Sequence, residues 1–277
     1  KARAGCRMRR DIGIAVLSLV VVLLAGCRAM DRLSFIRPSA ERGEFRQVAP
    51  DRDVSGKPGK RSADPVQLLQ SAVDAYRLGD LVRAESLAKA SLQAGAPAGD
   101  ANTLLGVVAD ARGQREAAGG YYRAAASAAP GNGTYANNYG GWLCATGQAG
   151  ASLEWFDRAV ADPTYPTPAN AAANAGDCAA KAGLAARAEA SWRLALATQP
   201  THVQALAGMA ALEAGRGRHL EARAFLERWL ELNPNDLAAL RLAAQVEDAL
   251  GDNEAAARYR MRLQAASSAT QRALPTP

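Results

Sequence analysis

Residues 217–251, GRHLEARAFLERWLELNPNDLAALRLAAQVEDALG, contain one complete period of the pattern that decides the fold. Gly217 opens the stretch, Ala222 follows five positions later, and Pro234 stands seventeen positions after the glycine. Ala244 then precedes the next glycine, Gly251, by seven positions. Because proline ends helices and glycine suits tight turns, this spacing predicts one helix on each side of Pro234.

The same markers recur along most of the chain. Glycines at 79, 113, 147, 183, 217 and 251 are separated by 34, 34, 36, 34 and 34 residues. A period of 34 residues is typical of tetratricopeptide repeats, in which helix A, a glycine turn and helix B form one unit. The pattern predicts an all-α tetratricopeptide repeat superhelix of about six helix-turn-helix repeats. The alternative, a non-repetitive alanine-rich bundle, predicts no such period.

The net charge of +6 belongs to the N-terminal part of the chain. Residues 1–26 and 28–64 contribute net charges of +4 and +3, whereas residues 65–277 contribute −1. A basic chain can indicate a nucleic-acid partner, but here the repeats carry no excess of positive charge. We therefore expect no nucleic-acid partner.

The N-terminal segment has the features of a lipoprotein signal peptide. Arg9 and Arg10 precede an apolar run over residues 12–26, which as a helix covers about 22 Å and is short for a membrane span. The run ends in LAGC, residues 24–27, which resembles the lipobox of bacterial lipoproteins. The resemblance implies lipidation at Cys27, and an uncleaved inner-membrane anchor is the alternative. Residue 28 is Arg and not Asp, which favours the periplasmic face of the outer membrane.

Composition suggests four parts of the chain. We expect upstream residues and a signal peptide at 1–26, and a lipidated N-terminus with a disordered linker at 27–64, because that segment is polar and lacks an apolar period. The tetratricopeptide repeat domain is expected at 65–265, and a C-terminal tail at 266–277.

The one irregular spacing, of 36 residues, contains DPTYPTP at residues 162–168. Asp162 and Pro163 are expected to end one helix. Thr167 and Pro168 are expected to begin the next as N-cap and first turn.

The run from Asn137 to Gly183 resembles the most distinctive section of the PilF/PilW family of type IV pilus biogenesis and stability lipoproteins. The matching pieces are Asn137-Asn138-Tyr139-Gly140, Leu143-Cys144, Asp162-Pro163, Tyr165-Pro166-Thr167-Pro168-Ala169 and Asn174-Ala175-Gly176 with Cys178. The resemblance covers about residues 65–265. It implies a non-catalytic pilotin, a lipid-anchored adaptor that binds the outer-membrane secretin of the pilus machinery and promotes its localisation and multimerisation.

Two other functions are open at this stage. A lipoprotein that regulates periplasmic cell-wall synthesis or another envelope assembly would use the same scaffold, although the DPTYPTP block argues against it. A hydrolase built on Cys144 and a histidine would need a third orienting group, and no motif supplies one. We expect no cofactor, no metal and no small-molecule substrate.

Cys144 and Cys178 each fall in the second half of an A helix, in adjacent repeats, so their side chains could meet in an oxidising periplasm. The family resemblance also favours a disulfide, and two buried thiols are the alternative.

The standard repeat register places a strip of mostly apolar residues on the inner face of the first three repeats. Such a strip suits an amphipathic or extended peptide, while ordinary packing between helices is the alternative. The candidate binding residues are Leu69, Val73, Tyr76, Arg77, Val107, Asp110 and Asn137.

Overall fold

The computed structural model describes residues 64–273, and the side chains among them as far as residue 268. This part of the chain is helical, with short connections and no strand. Its helices are α1 (Pro65–Arg77), α2 (Leu81–Gln93), α3 (Ala98–Ala111), α4 (Arg115–Ala128), α5 (Gly133–Ala145), α6 (Ala149–Ala161), α7 (Pro168–Lys181), α8 (Ala185–Thr198), α9 (Val203–Gly215), α10 (His219–Leu232), α11 (Leu237–Leu250) and α12 (Asn253–Ala273).

The twelve helices of the described residues form six A/B pairs, in which the odd-numbered helices are A and the even-numbered are B. Each A helix packs most closely against the B helix that follows it, and each B helix also packs against the next A helix. The predicted all-α tetratricopeptide fold is therefore confirmed. The predicted signal peptide, Cys27 and nearly all of the predicted linker lie outside the described residues.

The turns between A and B helices depend on the periodic glycines. Gly79, Gly113, Gly147, Gly183, Gly217 and Gly251 all adopt a positive φ, between 72° and 87°. A residue with a Cβ would be strained there by about 1–2 kcal/mol. After two of these six turns a side chain caps the next helix: the carboxylates of Asp80 and Asp252 accept hydrogen bonds from the backbone N–H groups of Arg83 and Ala255.

Four of the periodic prolines lie just after the ends of B helices. Pro130, Pro163, Pro200 and Pro234 each stand two residues after the last residue of a B helix. The residue between takes a ψ of 79° to 110° in all four cases, because proline clashes with a preceding residue in the helical conformation. The helix ends follow the pattern that the sequence predicts.

Side-chain size is matched between the A and B helices of each middle repeat. An added Cβ on Gly106 would come within 2.7 Å of the Tyr122 ring, and one on Gly176 within 2.4 Å of Trp192. Gly140 faces Phe156 in the same way, at 3.1 Å. Close approach of the two helices also requires small residues on the B helices. Each turn glycine is followed, five residues later, by a small residue that is fully buried: Ala84, Ala118, Ser152, Ala188, Ala222 and Ala256.

The A helices form the inner wall of the array. Each A helix also contacts the next A helix, whereas within residues 64–273 no B helix contacts another B helix. Neighbouring A helices are therefore closer together than neighbouring B helices, and the stack curves with its A helices inside. This inner wall is where a binding groove is expected.

The last helix continues beyond the predicted end of the repeat domain. Helix α12 runs to Ala273, whereas the sequence suggests a tail from residue 266. Residues 264–273 contain neither glycine nor proline, so nothing in them stops the helix. Leu263 and Ala266 pack against the core formed by helices α9 to α11.

Candidate functional site

A groove of about 470 Å³ lies on the inner wall at the N-terminal end of the array. Helices α1, α3 and α5 supply all of its lining residues. Its surface is mainly apolar, and its polar residues lie on each of the three helices. The lining residues are Val66, Leu69, Gln70, Val73, Tyr76, Asp100, Thr103, Leu104, Val107, Thr134 and Tyr135.

A second groove, of about 300 Å³, adjoins the first and shares Val107 with it. It extends toward the third and fourth repeats and is more polar. Its lining residues are Val107, Asp110, Tyr122, Asn137, Asn138, Gly141, Trp142, Ala145 and Asn174. Together the two grooves make one continuous surface, apolar at one end and rich in amide groups at the other.

Six of the seven candidate residues lie in these grooves. Leu69, Val73 and Tyr76 line the first, Val107 lines both, and Asp110 and Asn137 line the second. Arg77 lines neither groove; its guanidinium pairs with Asp74 at 3.4 Å on the exposed side of α1. That these residues bind a partner stays a prediction.

Several lining residues were absent from the sequence-based set. Val66 and Gln70 lie on the same face of α1 as Leu69 and Val73, at intervals of three and four residues, so helical periodicity could have found them. Tyr135 gave no such signal. It reaches the first groove from the third repeat, where its hydroxyl donates to the Asp100 carboxylate at 2.7 Å.

A ladder of polar side chains continues along the inner wall beyond the second groove. Asn174 on α7 donates to the side-chain oxygen of Asn137 on α5 at 3.1 Å. Gln204 on α9 donates to Asn174 at 3.2 Å and to Asp177 at 2.8 Å. These bonds join three consecutive A helices and fix the spacing of the amide groups that line the second groove.

The charged groups in the grooves are all acidic. Among the described residues, Asp100 lines the first groove and Asp110 the second, and neither groove includes a lysine or an arginine. Burial, together with the hydrogen bond to Asp100, raises the pKa of Tyr135 to about 12. Burial and the nearby Asp110 carboxylate also raise the pKa of Tyr122 well above its usual value. Both tyrosines therefore remain neutral donors at physiological pH.

Comparison with solved structures shows which proteins share this fold. PilW, a widely conserved type IV pilus biogenesis factor, is 29% identical, with a TM-score of 0.65, and the match covers 73% of this chain and 92% of PilW. Pseudomonas aeruginosa PilF is 20% identical, with a TM-score of 0.66, over 72% of this chain and 90% of its own. A tetratricopeptide repeat protein from Parabacteroides merdae is 22% identical, with a TM-score of 0.60, over 76% and 81%. No protein-family profile and no curated protein sequence matches the chain.

The chain is a tetratricopeptide repeat protein, and it resembles the type IV pilus biogenesis factor PilW. This resemblance covers 92% of PilW, at the highest identity of the three. The likenesses to PilF and to the Parabacteroides protein show the fold.

The DPTYPTP segment, on which the PilF/PilW resemblance partly rests, is built into the fold. Asp162 accepts hydrogen bonds from the backbone N–H of Gly133 at 2.7 Å and from the Thr164 N–H and hydroxyl at 2.8 and 2.7 Å. These bonds hold the pKa of Asp162 below its usual value. Tyr165 is buried between α5, α6 and α7 against Ala136, Ala159 and Ala171. The segment therefore fixes the junction of the third and fourth repeats.

The other residues of the segment are more exposed. Pro163, Pro166 and Thr167 lie at the surface, and Pro168 begins α7 as its first residue, as predicted. Thr167 occupies the N-cap position, but its hydroxyl makes no capping hydrogen bond. Its φ of −132° and ψ of 57° lie outside the extended conformation in which a side-chain oxygen faces the first turn.

Cys144 and Cys178 form a disulfide in the structure, with their Cα atoms 5.8 Å apart. The bond joins α5 to α7, the same two A helices that Asn137 and Asn174 join. It also removes Cys144 as the thiolate nucleophile of the hydrolase alternative.

The two histidines lie in the C-terminal half of the repeat array. His202 is buried at the N-terminus of α9, where its Nδ1 accepts from the Ala205 N–H at 3.4 Å and its Nε2 lies 2.9 Å from the Asn170 side-chain oxygen. Among the residues that the structure describes, no cluster of His, Cys, Asp and Glu is arranged to hold a metal ion. Within the same residues, no helix combines the length and apolar character needed to cross a bilayer.

Proposed function

We propose that this chain is an outer-membrane lipoprotein adaptor of the pilotin kind that acts in type IV pilus biogenesis. Its repeat domain, residues 65–265 with the continuation of α12, binds the secretin of the pilus machinery. Binding promotes the localisation of the secretin to the outer membrane and its multimerisation. In this role the chain acts as an adaptor and not as an enzyme.

The inner-wall groove is the observation that carries the proposal. An adaptor needs a surface that grips a segment of another protein, and the first groove offers apolar side chains from three helices on a rigid scaffold. The match to PilW, a type IV pilus biogenesis factor, supports the choice of machinery because it covers 73% of this chain and 92% of PilW.

The N-terminal sequence supports the location. The LAGC motif ending at Cys27 and the basic, apolar segment before it resemble a lipoprotein signal. Acyl chains on Cys27 would confine the repeats to a layer next to the membrane, on the linker of residues 28–64. Confinement raises the effective concentration of the bound secretin at the membrane in which it must insert.

The experiment is complementation of a strain that lacks the chain, with secretin multimers measured by immunoblot after membrane fractionation. We expect few multimers without the chain and normal levels with the wild type. Cys27→Ala should give a folded protein that fractionates away from the outer membrane, and secretin multimers should decline. Normal multimer levels in the strain that lacks the chain would reject the proposal.

A groove variant tests the binding surface itself. The double substitution Leu69→Gln and Val73→Gln changes two half-buried residues of the first groove and should reduce co-purification of the secretin at least tenfold. Val82→Gln is the matched control, because Val82 is an exposed apolar residue on α2 and lines neither groove. Equal secretin recovery with both variants would place the binding surface elsewhere.

A further inference from the structure

The two grooves together carry information about the chemistry of their occupant. The charged side chains that line them are the carboxylates of Asp100 and Asp110, which lie ten positions apart on α3. At 1.5 Å per residue, this separation is about 15 Å along the helix axis. An acidic group therefore stands in each groove, with Leu104 and Val107 on the same helix between them.

Among the described residues, no basic partner neutralises the charge of Asp100 or Asp110. Within this part of the chain, the Asp100 side chain accepts from the Tyr135 hydroxyl, a neutral donor. Asp110 lies beside the Tyr122 hydroxyl, which is neutral as well. Arg77, the basic residue of α1, pairs instead with Asp74. Anionic groups beside an apolar surface favour an occupant that carries positive charge.

The amide groups of the second groove point to an extended backbone. Asn137 uses its side-chain oxygen to accept from Asn174, which leaves its own NH₂ group available, and the Asn138 side chain makes no hydrogen bond among the described residues. Primary amides suit the N–H and C=O groups of a peptide backbone. An α-helix would satisfy those groups internally, whereas an extended segment presents them to the groove.

We propose that the two grooves bind an extended segment of the partner protein, in which apolar side chains lie between two basic side chains four residues apart. An extended chain advances about 3.3 Å per residue and residues an even number apart point to the same face, so two residues four apart, about 13 Å, can both face the carboxylates. The apolar side chains fill the first groove, and Lys or Arg side chains face Asp100 and Asp110. This inference rests on the proposed function for the existence of the partner and adds the chemistry that the partner must present.

The test is a pair of synthetic fluorescent peptides measured by fluorescence anisotropy against the purified protein. Both are eight residues long with Leu, Val and Phe at the centre; one carries Arg and Lys four residues apart, on either side of these three, and the other carries Glu at those two places. We expect the basic peptide to bind at least tenfold more tightly, and its affinity to fall as salt is raised.

Variants of the two carboxylates locate the effect. Asp110→Asn and Asp100→Asn each remove a charge but keep an oxygen that can accept from the neighbouring tyrosine, so the fold should be retained. Each should weaken the basic peptide at least threefold and leave the acidic peptide unchanged. Glu254→Gln, at the start of α12 and distant from both grooves, is the control for net charge and should leave both affinities unchanged.

The inference would be overturned if the acidic peptide bound as tightly as the basic one, if neither peptide bound, or if Asp110→Asn had no effect. The inference would also be overturned if deletion of residues 28–63 made the basic peptide bind more tightly. Such a result would mean that these residues compete for the grooves and that they, and not a partner protein, are the occupant. The complementation experiment separates this result from the proposed function. Secretin multimers that depend on the chain, without peptide selectivity, would reject only the inference.

Discussion

Glycines in the middle A helices set how closely each A helix approaches its B helix. At Gly176 an added Cβ would come within 2.4 Å of two atoms of the Trp192 ring. Trp192 cannot easily move, because it is buried and its Nε1 donates to Asp177 at 2.9 Å. We expect Gly176→Ala to lower the free energy of unfolding by about 1–3 kcal/mol, measured by urea denaturation, because overpacking outweighs the gain in helix propensity.

Gly120 supplies the matched control for this prediction. It lies within α4, is exposed, and has open space where its Cβ would be. Gly120→Ala should raise the free energy of unfolding by about 0.5–1 kcal/mol, because helix propensity alone decides the outcome. Changes of the same sign in both variants would contradict this account of the packing.

His202 should make stability depend on pH. Burial lowers its pKa below the usual value, against the opposing effect of its own backbone and of the Asp177 charge. The unfolded chain therefore binds a proton at a higher pH than the folded one, so stability is complete above about pH 6.5 and declines as the pH falls below it. Protonation would also place a hydrogen on Nδ1, which in the folded protein accepts from Ala205.

The measurement for His202 is the thermal midpoint at pH 8 and at pH 5.5. We expect His202→Asn, which keeps a capping oxygen but does not titrate, to show a smaller decrease between the two pH values than the wild type. An equal decrease in both proteins would show that other groups cause it.

At the scale of helices, the disulfide should stabilise one junction more than the rest of the array. It closes a loop of 34 residues, which the chain-entropy model values at about 4 kcal/mol. In a repeat array each unit contacts only its neighbours, so the effect should stay local. With Cys144→Ser and Cys178→Ser combined, we expect faster amide hydrogen exchange in α5 and α7 and little change in α1 and α11. Uniform acceleration along the array would contradict the prediction.

The sequence predicted the helices well because their ends depend on local chemistry. Gly251 adopts a positive φ, and Pro234 forces the residue before it out of the helical conformation. Both effects act within a few residues, so the residue type alone predicts the helix end. Thr167 was less predictable. Its position follows from Pro168, but whether its hydroxyl caps α7 depends on the backbone conformation of the connection between α6 and α7.

At the scale of the whole molecule, the groove was only partly predictable. Periodicity on α1 identifies Leu69 and Val73, because residues that share a helix face recur at fixed intervals. It cannot place Tyr135 beside Asp100, since that contact depends on how far each repeat is rotated relative to the last. The exclusion of Arg77 has a different cause: its side chain pairs with Asp74 within α1, and that pairing depends on side-chain conformation.

The C-terminal end of the array gives the last prediction. Helix α12 covers the core of the last two repeats, because Tyr259, Leu263 and Ala266 pack against it. Truncation after Gly251 would expose that core, and we expect a loss of about 3 kcal/mol or more in the free energy of unfolding, together with aggregation visible by size-exclusion chromatography. Truncation after Ser268 keeps all three contacts and should leave the thermal midpoint within a few degrees of the wild type. If both truncations behaved alike, α12 would not be the helix that closes the stack.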